Sequence, residues 1–553
     1  MHATPTMPEP IKALRVHPKD NVIVALRDLA AGETVTVDDH AISVGEAIKS
    51  KHKFTDWNLG TGDTITMYGL TVGKADKPIP RGHGIHTSNV THAVQAPQIN
   101  EKARPWSTPD VSQWMDTTFD GYHRENGSVG TANQWLVIPL VFCENRNLML
   151  MKEALLGPLG YGITRPYEAY VQKLAQGHAK GVPLADIDPD SQDITRNRLF
   201  PNVDGVKFLA HTLGCGGTDS DSDSLAGLLA GYIAHPNVAG ATILSLGCQK
   251  TQLDQLREEI HKRDPLFSKP LHFFEQQKSQ SERQMIGSAL KATFQGMADA
   301  NKLSRQPAPL SKLALGVECG GSDGFSGISA NPVIGLVSDR LAALHGRVIL
   351  SEFPELCGAE QDLVDRCSTP EIAQRFLKLM AAYQGAAQKV GSGFDQNPSH
   401  GNIADGLITD AMKSAGAARK GGSSPVNDVL DYPGWTTNQG LNLLCSPGND
   451  VESTTAMAGA GANLIIFSTG LGTPTGNPVT PVIKISSNTT IAQNLSDIID
   501  FDTGSIIAGE ASLDTLANDL FQLVIDTASG HYQTCAQRLS QDDFIPWKRG
   551  VSL

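Results

Sequence analysis

The stretch 313–358, LALGVECGGSDGFSGISANPVIGLVSDRLAALHGRVILSEFPELCG, concentrates side chains that can move protons or hold a metal. Its apolar run at 313–317 reads as a buried strand, cut off by Glu318 and Cys319 and then by glycines. Gly320, Gly321, Gly324 and Gly327 make a flexible loop in which Ser322, Asp323, Ser326 and Ser329 offer hydrogen bonds. Asn331 and Pro332 suit the N-cap and first position of a helix that ends near His345 and Gly346. A second apolar run, 347–350, ends in Ser351 and Glu352, with Glu355 and Cys357 just beyond. Two strands thus deliver carboxylates and thiols to their C-terminal ends, where ligands sit in open parallel sheets. The stretch has neither the Gly-Lys-Ser/Thr ending of a phosphate loop nor GxGxxG spacing, which excludes a nucleotide-binding loop.

Other segments repeat this pattern. Cys143, Cys215, Cys248, Cys319 and Cys445 each follow an apolar run, five of the eight cysteines in the chain. A buried cysteine also packs as a small hydrophobe, but strand ends of one parallel sheet converge, so Cys215, Cys248 and Cys319 are expected near one another. His211, four residues before Cys215, suits a ligand, an acid/base or a hydrogen-bonded core histidine. Asp219, Asp221 and Asp223 lack the later glycine and glutamate of a calcium loop and are read as the cap of the following helix. Around glycine turns, 397–426 supplies Asn397, Ser399, His400, Asn402, Lys413 and Lys420, although Lys420 beside Gly421 also suits a helix C-terminus. Thr469 ends another apolar run, and the polar turn GIHTSN offers His86 and Asn89.

Aromatic residues are scarce among these groups, so they fit a hydroxylated acid better than a flat cofactor. Removing water from such an acid requires abstraction of a weakly acidic proton beside the carboxylate, which a Lewis-acid metal assists. The expected metal is divalent, iron(II) or manganese, held by some of His211, Cys215, Cys248 and Cys319. Glu318 or Glu352 is the expected base, with Lys420 as the alternative. No GxSxG elbow follows a strand, which argues against a Ser-His-Asp hydrolase.

These groups must be positioned by more than one core, because 553 residues exceed what a single core supports. Hydrophobic content of 40%, charged content of 19% and a net charge of -13 describe a globular protein with no nucleic-acid footprint. No apolar run is long enough for a membrane helix and the start MHATPTMPEP is not a signal peptide, so a cytoplasmic protein is expected. Short runs broken by Gly, Asp and Pro predict a small β unit over 1–93, followed by a draped linker over 94–120. From 121 onward, strands alternate with amphipathic helices, which predicts an α/β fold of βαβ crossovers.

The motifs GYHRENGSVGTANQ, HTLGCG, LGCQ, LALGVECGGSDGFSGISANPVIG, LSEFPELCGAE, NPSHGN with KSAGAARKGG, and FSTGLGTPTGNPVTPVIKISSNT, in that order, resemble the altronate/galactarate dehydratase family. The resemblance implies a SAF-type β-clip domain over 1–93, a middle α/β domain over 121–270 with a role in dimerisation, and a Rossmann-like C-terminal domain over 271–553. It implies a homodimer or larger homo-oligomer, and an iron(II)- or manganese-dependent dehydratase that converts a sugar acid to a 2-keto-3-deoxy acid. Substrate contacts are then expected from His86, Asn89, Arg124, Ser322, Asp323, Ser326, Glu355, Asn397, Ser399, Asn402 and Thr469. Ser88, Gln249, His400 and Leu471 depart from residues usual in the family, which bears on the choice of substrate. Two other readings stay open: a lyase expelling another group such as sulfite, and a non-catalytic sugar-acid sensor.

Overall fold

Alternating apolar runs and helices fold into two parallel sheets in the computed structural model, which describes residues 11–94, 96–162, 166–188 and 197–552. The first sheet has four strands, β1 (Gln134–Pro139), β2 (Gly205–Phe208), β3 (Val238–Ser245) and β4 (Leu271–Glu275), in the order β2-β1-β3-β4 and all parallel. Helix α1 (Asp219–Ala234) links β2 to β3, and α2 (Glu282–Ala300) follows β4. The expected boundary at 270 therefore falls one strand and one helix early. β4 pairs in register with β3, and Ala289 and Met297 of α2 share a core with Trp135 and Val137 of β1.

The second sheet carries the stretch that opened the sequence reading. Its seven strands are β5 (Ala314–Cys319), β6 (Arg347–Leu350), β7 (Val426–Leu430), β8 (Gly440–Leu444), β9 (Leu464–Thr469), β10 (Val482–Ser486) and β11 (Phe501–Asp502). All pair parallel in the order β7-β8-β6-β5-β9-β10-β11, so the chain winds out on one side of β5 and returns on the other. Such a switch point opens a crevice at the strand C-termini. Three helices of this region serve the site: α3 (Ala330–Ala343) after β5, α4 (Asp410–Ala417) before β7, and α5 (Asp450–Gly459) before β9.

The two sheets share one core, in which Leu136, Leu228, Tyr232 and Ile243 meet Ile349, Met457, Ile465 and Phe467. Their helices approach closely because Gly231 of α1 faces Gly459 of α5, where an added Cβ would lie 2.0 Å from the Gly459 carbonyl oxygen. The acidic run does not precede α1 as a cap but forms its first turn: the N-cap is Thr218, and of Asp219, Asp221 and Asp223 only Asp221 joins the capping box. Thr218 accepts from the Asp221 N–H while the Asp221 carboxylate accepts from Thr218, and it also accepts from the N–H groups of Arg549 and Gly550.

The N-terminal unit is built of antiparallel hairpins. Asp38 with Asp39 and Tyr68 with Gly69 carry the positive φ values of two-residue turns, whose twist matches that of the strands they join. Between this unit and β1, Arg104 pairs with Asp362 and Asp365, which lays the expected linker along the C-terminal domain. Among the described residues, no helix is long and apolar enough to cross a membrane.

Candidate active site

Strands β5 and β6 end side by side, and their last residues converge in the interior. Glu318, Cys319, Glu352, Glu355 and Lys420 are all buried. The Glu318 carboxylate accepts from Ser453 Oγ at 2.6 Å and from Ser351 Oγ at 3.4 Å. Glu352 sits in the left-handed region at φ 64°, a conformation costing on the order of 1 kcal/mol or more outside glycine. Its N–H is held by Ser446 Oγ at 3.0 Å, and its Oε2 accepts from Lys420 Nζ at 2.9 Å. Lys420 Nζ also lies 2.8 Å from Cys319 Sγ. Glu355 accepts from Lys413 Nζ at 2.7 Å, and Lys413 in turn donates to Asn397 Oδ1 at 2.6 Å.

Burial dominates the electrostatics. It pushes the Glu318 carboxyl well up, and the neighbouring Glu352 charge adds to the effect. Burial also raises Glu352, with Glu355 as the second cause. Asp450, the first residue of α5, rises to about 7 through burial and the charges of Glu352 and Glu355. The Cys319 thiol is driven up by burial, which keeps it protonated at neutral pH. Glu355 goes the other way: burial opposes its charge, but Lys413 and Lys420 outweigh burial and hold it below the usual range. For Lys413 and Lys420, burial opposes the charge and the surrounding acids more than restore it.

This arrangement suits a divalent cation. Glu318 Oε1 and Glu352 Oε1 are buried with no donor from any other residue, and the two carboxyl groups lie close enough to hold one proton between them. Oxygens of Glu318, Glu352 and Asp450 lie within 4.8 Å of one another, and so do ligand atoms of Cys319, Glu352 and Glu355. Four carboxyl groups (Glu318, Glu352, Glu355, Asp450) face two ammonium groups (Lys413, Lys420), so full ionisation leaves two negative charges to balance. Oxygen-rich donor sets favour Mg²⁺, Mn²⁺ or Fe²⁺.

The structure separates the four expected metal ligands. Cys319 is in the site, but His211, Cys215 and Cys248 belong to the four-stranded sheet, and none joins a ligand group among the described residues. Both His211 ring nitrogens are engaged, Nε2 with the Pro139 carbonyl at 2.7 Å and Nδ1 with the Leu213 N–H at 3.1 Å, as in a core histidine. Only Cys319 ends a strand and Cys445 directly follows one, whereas Cys143, Cys215 and Cys248 lie in the connections beyond theirs, so the expected pattern is looser than the sequence suggests and is distributed over two sheets instead of one crevice.

Of the expected substrate contacts, Glu355 and Asn397 line the site. Ser322, with a buried hydroxyl that has no partner, sits on the adjoining loop, and its carbonyl accepts from Asn402 Nδ2 at 2.8 Å. Ser399 and Asn402 cap a short helix, Asp323 and Ser326 tie the glycine loop together, and Thr469 Oγ1 accepts three backbone N–H groups after β9. These five shape the loops around the site. Arg124 is placed elsewhere: it donates to the Pro236 carbonyl and Asn133 Oδ1 and lies against the Tyr122 ring, so its donors serve the fold. Asn89 closes its own turn through Gly84 and His86, while His86 faces Glu46.

The N-terminal unit reaches the site region through different residues. Lys51 Nζ pairs with the fully buried Asp323 at 3.0 Å, His52 meets the Ala404 carbonyl, and the fully buried Lys53 donates to the Gly406 carbonyl at 2.6 Å. Tyr68, Met67 and Val72 share an apolar core with Phe325, Ile328, Ile408 and Met412. Lys51, Lys53, Asp450 and Ser453 were missed in sequence, and Ser351 was noted only as a strand end. A lysine-rich turn and an acidic helix start look like surface features until tertiary contacts bury them.

Three family models match successive parts of the chain. Residues 11–93 match "Altronate/galactarate dehydratase SAF domain", 121–301 match "D-galactarate dehydratase/Altronate hydrolase, second domain", and 310–552 match "D-galactarate/Altronate dehydratase, C-terminal". The altronate dehydratase of Escherichia coli (strain K12) is 33% identical over 98% of this chain and 99% of its own length. That of Bacillus subtilis (strain 168) is 32% identical over 94% and 95%. The galactarate dehydratase (L-threo-forming) of Escherichia coli (strain K12) is 29% identical over 94% and 93%. With relatives of this similarity aligned over nearly its whole length, the chain belongs to the altronate/galactarate dehydratase family.

Proposed function

We propose that the chain is a hydro-lyase that removes water from a hexonate or hexarate to give a 2-keto-3-deoxy acid, using Fe²⁺ or Mn²⁺. The observation that carries this reading is the buried carboxylate set at the ends of β5 and β6, with two oxygens lacking donors beside two buried lysines. Glu352 and Asp450 are assigned to hold the cation, since Glu352 belongs to both ligand groups and Asp450 borders the loop at Gly320. When bound, the cation supplies Lewis acidity that stabilises negative charge developing on the substrate's carboxylate.

Glu318 is assigned as the base because it ends β5 beside Glu352 and Asp450 with Ser453 orienting its carboxylate; with a cation balancing the charge of the cluster it can ionise, and burial then strengthens its pull on a proton. It takes the proton from the carbon beside the substrate carboxylate. The hydroxyl on the next carbon leaves with that proton as water, and the resulting enol tautomerises to the 2-keto acid. Lys413 and Lys420 offset the added negative charge of the acid, and burial of the whole cluster limits competing water.

The test is an anaerobic assay of the purified chain with Mn²⁺ or Fe²⁺ against a panel of hexonates and hexarates, read by mass spectrometry. Loss of one water with formation of a 2-keto acid from at least one of them is expected. Turnover of none of the panel with either metal overturns the reading.

A further inference from the structure

A second group of ligand atoms lies outside the cluster described above. His92 Nδ1, Cys357 Sγ and an Asp410 carboxylate oxygen stand within 4.8 Å of one another. They come from three separate segments. His92 follows the last strand pair of the N-terminal unit, Cys357 lies in the loop after β6, and Asp410 is the first residue of α4. We infer that these three residues form a Zn²⁺ site that pins the N-terminal unit onto the C-terminal domain.

The surrounding structure holds the ligands in place. Asp410 Oδ1 accepts the Ala411 N–H at 2.9 Å and contacts His92 Nδ1, while Thr409, the cap of α4, donates to the Val72 carbonyl of the N-terminal unit at 2.9 Å. Gly358 has φ 94° and packs against α4 so tightly that a Cβ there would lie 2.7 Å from that of Ala411, which fixes the loop bearing Cys357. Asp410 is buried, whereas the His92 side chain is 32% exposed, which leaves a path for an ion. The chemistry differs from that of the carboxylate cluster. An imidazole, a thiol and one carboxylate are the borderline-soft set that selects Zn²⁺ over Mn²⁺. With Zn–N and Zn–S bonds of roughly 2.1 and 2.3 Å, His92 Nδ1 and the Asp410 oxygen, which now touch directly, must part to admit the ion while Cys357 Sγ closes on it. Binding replaces the Cys357 thiol proton, which goes to solvent.

The test uses the full chain, stripped of metal and titrated with Co²⁺ as a spectroscopic stand-in for Zn²⁺. One equivalent is expected to give a near-ultraviolet thiolate-to-cobalt band, lost in His92→Ala and in Cys357→Ser with at least tenfold weaker binding, and kept in Cys319→Ser. Zn²⁺ is expected to raise the melting temperature of the parent chain and not that of His92→Ala. Because His92 is partly exposed, its truncation leaves the packed core intact. Absence of the band in the parent chain overturns the site, as does its survival in both His92→Ala and Cys357→Ser, or its loss in Cys319→Ser. An equal Zn²⁺ effect on melting in parent and His92→Ala overturns the pinning.

Discussion

Lys420 Nζ stands 2.9 Å from Glu352 Oε2, and both side chains are 1% exposed. Removing one partner of a buried ion pair costs about 3–5 kcal/mol, because the other charge is left without compensation. Lys420→Met should therefore be destabilised by about that amount at pH 8. An unpaired Glu352 would have its pKa raised further above the unfolded value, so the loss should shrink as pH falls and the carboxyl takes up a proton. Denaturant unfolding of parent and variant at pH 8 and pH 5 measures the difference.

Glu318→Gln keeps the side chain's size and its contact with Ser453. As the base, its loss should lower kcat by about 10² to 10⁴, with Mn²⁺ affinity unchanged by electron paramagnetic resonance. Lost Mn²⁺ binding would make Glu318 a ligand, and near-parental kcat would remove it from the chemistry.

Asp450→Asn and Glu352→Gln should each weaken Mn²⁺ binding at least tenfold in the same resonance titration, since each removes a charged oxygen from the shared ligand group. Equal affinity in parent and both variants would move the cation to another site.

Lys53 has its pKa depressed to about 7 by burial. A lysine with a lowered folded-state pKa costs stability in full below that value, and the cost fades as pH climbs towards the unfolded value. Lys53→Met should therefore gain most over the parent below pH 7 and progressively less towards pH 10. Thermal melting across that range checks the trend, and a gain independent of pH would refute it.

Gly406 has φ 92°, and a Cβ there would lie 2.3 Å from the Lys51 carbonyl oxygen. Gly406→Ala should thus loosen the N-terminal unit, lowering the melting temperature and speeding proteolysis within 11–93. Deleting that unit outright should cause aggregation, because Phe325, Ile328, Ile408 and Met412 would lose their apolar cover.

The sequence was most informative where one segment determines the outcome. The run 347–350 is β6 residue for residue, and the glycines after Cys319 mark the loop into α3. Glu318, Glu352, Glu355, Lys420 and Asn397 were legible because each lies at a strand end or in a glycine-rich polar loop. What failed was assembly. Apolar run followed by cysteine reads the same in either sheet, so Cys215 and Cys248 could not be separated from Cys319 without strand order. Arg124 was expected to touch substrate because a sequence does not show the Pro236 carbonyl and Asn133 amide oxygen that occupy its donors. Lys51 and Lys53 were hidden because their partners lie more than 270 residues away.

That separation has a consequence for biosynthesis. The N-terminal unit shares its core with Ile408 and Met412, so it leaves the ribosome about 300 residues before its packing partners exist. At roughly 5–20 residues per second the interval is on the order of tens of seconds. Through that time the sides of Met67, Tyr68 and Val72 that meet Phe325, Ile408 and Met412 stay open to solvent. A unit made well before its packing partners is thus finished only after them, and the nascent chain's demand for chaperones should concentrate on it.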